Sequence, residues 1–503
     1  MAITFNNIPN TTRTPNVYAE IDNSRALQGL ASNPHKALII GQKISAGSVS
    51  LQTLIAITRD NLADGYFGTG SELARMCNVF KNNNPNTELY AIAVSAGGAA
   101  VQASAFIDFD IAMNSADLSY AGTYYLMING TEIPIALTSG MSGKAIGSTV
   151  MATVNGSTYS YLPVTVSTGT TSAGSVFFSA VCSGTQGNYI NIRANYYTGE
   201  STIRTIFAVD PIIVSMAGGT VGGDLDDVWS VVEGEQFHYI IQPYIDAANL
   251  TSIENELADR FDPTEDLQGH GFTAVRGTQA SCTTLGNSRN SPHNTIMGCY
   301  DSPTAPEEWA AALGAVAAKY LNIDPARPLH FLKLKGILPP PVESRFTRAE
   351  RELLLYDGIA TSITDTGGNQ VIERCITTYQ ANALGLPDWS YLDVQTMATL
   401  GEIRYQFKTR MSNRFISPRF KLADDGFNIQ PGSYVATPSL VKDEIIALFL
   451  LLRDRGLIEN IEDFKENLVV ERDTADANRI NALLNPNLIN QFRVLAGLIQ
   501  FIL

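Results

Sequence analysis

From Ile111 to Ile192 the chain carries only three charged side chains, Asp117, Glu132 and Lys144, in a stretch rich in Ser, Thr and Gly. On either side of it charge is frequent and short apolar runs alternate with amphipathic ones. The stretch therefore breaks the chain into regions of different character. Tyr124 to Leu137 (YYLMINGTEIPIAL) reads as two strands around Asn129-Gly130. A second Asn-Gly, Asn155-Gly156, sits between Val154 and the Ser/Tyr run to Leu162. Asn-Gly tolerates the positive φ angles of tight hairpin turns. Residues 97–218 are thus expected to form a separate, low-charge, all-β domain.

The flanks read as one α/β domain that this segment interrupts. Ala37 to Gly41 (ALIIG) is a buried-strand run, and Glu88 to Ser95, Phe237 to Gln242, Phe272 to Val275, Thr295 to Cys299 and Leu329 to Leu334 are further strands. Capping boxes at Thr69–Glu72 and Thr251–Glu254 open helices, and Pro306 starts another in the position where its missing N–H costs nothing. The simplest architecture is a doubly wound α/β core, residues 36–96 plus 219–335, closed by short connections. Residues 336–496 form a third, α+β part. It has a capping box at Thr347–Glu350, a strand-like Val371–Thr378, a helical Asp388–Met411 and an amphipathic helix from Asp443 to Arg455 that stops at Gly456. Residues 1–35 read as an extended arm, with Val17, Ala19 and Ile21 alternating with Tyr18, Glu20 and Asp22. Residues 497–503 (GLIQFIL) end the chain in bare apolar side chains that need a cover.

Length and composition narrow the function. A chain of 503 residues carries roughly three domains. A net charge of -15 argues against coating nucleic acid and against binding anionic lipid, so neither nucleic acid nor membrane is an expected partner. The most apolar run, Ile445 to Leu452, is too short to span a bilayer, and the first residues lack a secretory pattern. Five scattered cysteines without a CxxC pair fit idle thiols in a reducing cytoplasm.

Chemistry-bearing motifs are incomplete. Gly68-Thr-Gly70 lacks the third glycine of a dinucleotide fingerprint. Gly143-Lys144 is followed by Ala145 where a phosphate loop needs Ser or Thr, and Thr138 stands where it needs Gly. None of the five histidines has a His or Cys partner at metal-ligand spacing, and His238 and His330 sit in apolar runs that make them core residues. Ser291, His293 and Cys282 lack a nucleophile-elbow context. The acidic run Glu459 to Glu466 is a solvated face or a patch for a basic partner. No cofactor, metal or catalytic residue is assigned.

An ordered series of segments resembles a known family. Pro15 to Ala26 (PNVYAEIDNSRA) and Pro34 to Gln42 near the start, and Glu373 to Tyr379, Tyr391 to Val394, Asn413 to Phe415, Lys421 to Gly426, Val470 to Arg472, Asn478-Arg479 and Asn490 to Val494 near the end, are similar to Mu-like contractile phage tail sheath proteins. The resemblance implies a structural, non-enzymatic subunit of the virion tail, assembled in the host bacterial cytoplasm. Such subunits stack as six-membered rings around a tail tube and contract to drive the tube through the host envelope for genome ejection. The implied partners are further copies of the chain, the tail tube protein, and baseplate and tail terminator proteins. It also implies intersubunit arms that add strands to a neighbour's sheet. Here they would be Val17, Tyr18, Ala19, Glu20 and Ile21, and Leu498, Ile499, Gln500, Phe501, Ile502 and Leu503. The sheath of a tailocin or other contractile injection device fits the same residues. On fold grounds alone an α/β nucleotide-binding enzyme, or a monomeric adhesin-like β module on an α/β carrier, stays open.

Overall fold

The computed structural model describes residues 13–15, 17, 19, 29–110, 117–169, 172–197, 200, 207, 211–426 and 433–502. The chain divides into two compact units, Pro34–Glu402 with Leu488–Leu503, and Met1–Asn33 with Ile403–Asn487. Both mix helix and strand.

The larger unit is organised by its first strand, β1 (Lys36–Gln42). A short β2 (Ile55–Ala56), helices α1 (Leu62–Phe67) and α2 (Glu72–Asn83) and strand β3 (Glu88–Val94) follow. The low-charge segment then leaves the sheet, with β4 (Ser104–Asp108), β5 (Gly122–Ile128), β6 (Thr131–Leu137), α3 (Gly143–Val154), β7 (Val164–Thr168), β8 (Ser175–Ala180), β9 (Ile192–Ala194) and β10 (Ile212–Ala217). The core resumes through α4 (Asp226–Trp229), β11 (Tyr239–Ile241), α5 (Ala247–Phe261), β12 (His270–Val275), α6 (Gln279–Asn287), β13 (Asn294–Gly298), α7 (Pro306–Ile323), α8 (Arg348–Tyr356), β14 (Ile359–Thr364) and β15 (Gln370–Arg374).

These strands make one eight-stranded sheet in the order β15-β14-β13-β12-β11-β1-β3-β2, parallel from β14 to β3 with an antiparallel strand at each edge. Side chains of β1 alternate between two cores, as a period of two requires. Ala37 and Ile39 meet α2 and α7 on one face, while Leu38 and Ile40 meet α4 and α5 on the other. Helix α7 lies against the sheet so closely that a Cβ on Gly314 would fall 2.4 Å from Ile241 Cγ1. Its alanine-rich sequence allows that approach.

The inserted segment has its own core, built on Phe109, Tyr124, Phe178 and Phe207. The Asn129-Gly130 hairpin forms: Ile128 faces Thr131, and Asn129 and Gly130 take φ of 49° and 78°, the positive pair that a two-residue turn demands. The all-β expectation for this segment is corrected by α3, whose Ile146, Val150 and Val154 are buried at helical spacing. Asn155-Gly156 closes that helix and makes no hairpin. The Asn155 amide instead clasps β7, donating to Val166 O at 2.7 Å and accepting from Val166 N at 3.0 Å.

Further expectations differ from what the chain adopts. Leu329–Leu334 is no strand, because Phe331 turns to φ 59°, although Phe331 N and Leu334 N still bond to β15. The strand-like run at Val371 lies in β15, which with β14, a strand the pattern did not show, completes the core sheet although both fall beyond residue 336, in the expected third part. Helix α2 is capped by Ser71 rather than Thr69, because Glu72 turns inward to bond Gln42 N and Tyr244 Oη. Helix α5 starts at the Asp246 cap, and Thr251 serves instead as a partner for Arg289. The Thr347–Glu350 box and the Pro306 start both form.

Helix α9 (Val394–Met411) begins six residues later than its pattern, since Asp388 is engaged by Tyr379 and Ser390. In the smaller unit, β16 (Lys421–Leu422) and β17 (Val435–Ala436) pair in parallel. Helix α10 (Pro438–Asp454), capped by Thr437, buries Ile445, Leu448, Phe449 and Leu452. After β18 (Ile458–Glu459) comes α11 (Ile461–Asn467), whose Phe464 stacks on Phe449 at 4.1 Å. The acidic run thus carries a buried apolar side with its acids outward. An antiparallel hairpin of β19 (Val469–Arg472) and β20 (Ile480–Leu483) completes the unit.

Candidate assembly surface

The C-terminal residues leave the fold without joining it. Residues 489–502 form neither helix nor strand. Their root is a charge clamp: Arg493 Nη2 meets Asp393 Oδ2 at 2.6 Å, and the second Asp393 oxygen accepts from Arg374 Nε at 3.3 Å. Beyond the clamp the side chains are bare, with Leu498 85%, Ile499 91%, Phe501 79% and Ile502 99% exposed; Gln500 is exposed as well. Each large aliphatic or aromatic side chain left in water forgoes about 1.5–3 kcal/mol. In an extended backbone Leu495, Ile499 and Phe501 would share one side and Val494, Leu498 and Ile502 the other, so both faces await an apolar cover. Leu503 lies outside the described residues.

At the other terminus Val17 and Ala19 are exposed, Val17 at 92%. Tyr18, Glu20 and Ile21 lie outside the described residues. The N-terminal segment is secured where it meets the smaller unit. The buried Gln406 side chain reads the backbone of Ala31 in both directions, accepting from Ala31 N at 2.9 Å and donating to Ala31 O at 2.8 Å, and Tyr405 Oη donates to Ser32 O.

The β19–β20 hairpin is the third component. Among the described residues two strands make this sheet, and each has an outer edge not paired by any other described strand, a template for further strands. A lone hairpin is marginal in water. This one is braced by α10 and by its connection, where Asp473 Oδ1 accepts from Ala475 N and Asp476 N while Oδ2 accepts from Asn481 Nδ2. Sequence reasoning missed the hairpin, Gln406 and the Arg493–Asp393 clamp. The only signal for the hairpin was the short alternation around Val470, and long-range clamps leave none.

The sites where an enzyme would be sought look different. In a doubly wound sheet, ligands bind outside the carboxyl ends of the strands at the point where strand order reverses. Here that point lies between β1 and β11. It is filled by the chain itself: Gln186 of the insertion donates to Pro243 O at 3.0 Å, and Gln42, Glu72 and Tyr244 bond to one another. A cavity of only about 10 Å³ is left there. Burial, reinforced by Glu307, raises the Glu72 carboxyl to about 7. Alongside, Arg75 lies between Glu307 and Glu308 of α7, and Asn129 of the insertion's turn donates to Glu308 Oε1.

Gly68 and Gly70 take positive φ in the turn before α2, and Gly143 opens α3 under a Ser142 cap. Ser291 Oγ accepts from the backbone of His293, not from its ring, and burial lifts the Cys282 thiol to about 11. His238 is only half-buried, stacked on His35 at 4.1 Å, and His330 is half-buried outside any strand, which corrects the core reading of both. Among the described residues there is no group of three His, Cys, Asp or Glu able to hold a metal, and no helix long and apolar enough to cross a membrane.

Comparison with known proteins bears on the whole chain. Residues 218–378 match the phage tail sheath protein central domain, and residues 387–502 match the phage tail sheath C-terminal domain. Over 503 residues, 100% of both chains, the sequence is 35% identical to the Mu-like prophage FluMu tail sheath protein of Haemophilus influenzae. Among solved structures it is similar to the sheath tail protein of Desulfitobacterium hafniense, at 12% identity and a TM-score of 0.47, covering 94% of this chain and 100% of that one. The sheath tail protein of Listeria innocua aligns at 11% identity and a TM-score of 0.48, covering 92% and 93%.

Proposed function

The chain belongs to the contractile phage tail sheath proteins, and from that premise we propose that it polymerises as stacked hexameric rings around a tail tube and contracts to drive the tube through the host envelope. The role is mechanical and not enzymatic. Subunits assemble in the host cytoplasm around the tube protein, between the baseplate and the tail terminator. The sheath is held extended in a kinetically trapped state, and contraction enlarges the contacts between subunits.

The terminal arms keep the lattice connected while each subunit turns as a nearly rigid body. The exposed apolar C-terminal segment beyond Arg493 is the observation that carries this reading. A segment bare on both faces, rooted by a half-buried clamp, is suited to add as a strand to the outer edge of a neighbour's β19–β20 hairpin. Backbone hydrogen bonds would supply affinity and alternate side chains the register. The N-terminal arm, rooted at Ala31, is assigned the other edge. Residues 97–218 are assigned to the periphery as a decoration with its own core.

Negative-stain electron microscopy of the purified chain, alone and with its tube protein, tests this. Hollow tubes with a regular axial repeat are the expected result, and the chain lacking Gln500–Leu503 should stay a soluble monomer with unchanged circular dichroism. Normal tubes from that truncated chain would defeat the arm mechanism. A monomer under every condition, tube protein included, would defeat the sheath reading itself.

A further inference from the structure

A rigid apolar turn and a ligand-sized cavity lie at opposite ends of β13. At the amino end, Asn290 Nδ2 donates to Ala381 O at 2.8 Å and Thr378 N donates to Asn294 O at 2.9 Å. These bonds hold the loop that follows Thr378. Its tip is locked by Asn382, whose Oδ1 accepts from Leu384 N at 2.9 Å and Leu386 N at 3.1 Å while its own N–H donates to Leu386 O at 2.9 Å. Gly385 supplies the positive φ of 74° that the tip requires. The locked turn displays Leu384, Leu386 and Trp389, exposed by 83%, 58% and 67%. Three large apolar side chains fixed outward on an ordered turn form a patch of the kind that marks an interface, and a rigid turn loses little entropy on docking.

At the carboxyl end, a cavity of about 380 Å³ opens beside Gly298 and Tyr300, bounded by Arg345, Phe346, Ser362 and Gln370. This falls in the range of ligand-sized clefts, roughly 300–1,000 Å³. It is enough for a tryptophan ring with a leucine beside it. The Tyr300 and Phe346 rings stack at 4.8 Å and offer an apolar wall. Arg345 Nε donates to Pro340 O at 3.0 Å, and its terminal nitrogens have no hydrogen-bond partner among the described residues. A guanidinium so placed suits the face of an indole and a neighbouring carboxylate. Asp388, next to Trp389, would supply that carboxylate through the lone pair that Oδ1 keeps beside its bond from Ser390 N, while Tyr379 and Ser390 hold Oδ2.

We propose that the Asn382–Trp389 turn of one subunit docks into the cavity at the far end of β13 in a second copy of this chain, with Trp389 over Arg345. Because the two features sit at opposite ends of one strand, a chain cannot fill its own cavity. The contact is head-to-tail, and a head-to-tail contact that does not close generates a helical array. The proposal rests on the sheath reading and adds to it a contact independent of the arms.

The test places p-benzoylphenylalanine at position 389 of the full chain, assembles a mixture of isotope-labelled and unlabelled subunits, irradiates, and identifies the joined peptides by mass spectrometry. The expected product joins position 389 of one subunit to residues 340–346 or 362–370 of another, and Arg345→Glu should cut its yield by about tenfold. Cross-links to any other surface, to the tube protein or within one chain, an unchanged yield in Arg345→Glu, or assembled tubes without a cross-link would each overturn the docking and leave the sheath reading standing. If the unsubstituted chain forms no polymer with its tube protein, both fall.

Discussion

Strand β1 and the C-terminal segment are made of similar residues with opposite fates. In β1, Leu38, Ile39 and Ile40 are fully buried between two helical layers, and the backbone is paired on both sides by β3 and β11. In the segment beyond Arg493, Leu498, Ile499 and Ile502 are almost wholly exposed, and no strand of the chain pairs with it among the described residues. Composition does not separate them. What differs is the cover found among the described residues: helical layers bury both faces of β1, while no described element buries the side chains of the terminal segment. The core sheet is completed within the chain, whereas the terminal segment is the part that the proposed sheath would complete with a neighbouring subunit.

Disrupting the core should be felt before any assembly occurs. Leu38→Asp places a carboxylate between two apolar layers and is expected to cost more than about 4 kcal/mol, read as loss of the cooperative urea transition. Arg75→Met leaves Glu307 and Glu308 buried without their cation and should cost about 3–5 kcal/mol in the same assay.

A third effect depends on pH. The Glu72 carboxyl is raised from 4.5 to about 7 in the folded chain, so its contribution is present below the unfolded value and is lost as pH rises through 7. Urea stability should therefore fall between pH 5 and pH 8 by up to about 3 kcal/mol on this account, and Glu72→Gln should flatten that slope. An unchanged slope in the variant would show that the carboxyl keeps its charge.

Loss of the Ala31 anchor is smaller. Gln406→Ala should cost about 1 kcal/mol globally, but speed limited proteolysis of the N-terminal segment, read as earlier cleavage before residue 31. Smallest of all, removing Gln500–Leu503 should change the monomer's stability by less than about 0.5 kcal/mol while abolishing tubes. If that truncation instead destabilised the monomer, the contrast between a self-sufficient core and an unfinished terminus would fail.

Much of the core was legible in the chain. The apolar run at Ala37, the Pro306 start, the Thr347–Glu350 box and the Asn129-Gly130 turn announce themselves because each depends on residues within a few positions of one another. The Asn155-Gly156 pair shows the limit. The same dipeptide that turns a hairpin at residue 129 ends a helix at residue 155, since Ile146, Val150 and Val154 lie on one face and find the insertion's core. Thr69 and Glu72 have capping-box spacing, yet Glu72 bonds to Gln42 and Tyr244 instead, two groups far along the chain. Of the arm residues named from sequence, the chain's own pattern shows apolar character and alternation; the groups that root the arms, Asp393 and Gln406, stand 100 residues from Arg493 and 375 from Ala31.

The sequence by itself determined the α/β rhythm, the low-charge interruption and the apolar character of the terminus, because propensity, period and composition act locally. Only the tertiary structure decided that β14 and β15 join the core sheet, that the crevice between β1 and β11 is filled by the insertion, and that an apolar turn and a cavity stand at opposite ends of β13. Those outcomes turn on which distant segments compete for the same surface, and that competition is settled by packing, not by neighbours along the chain.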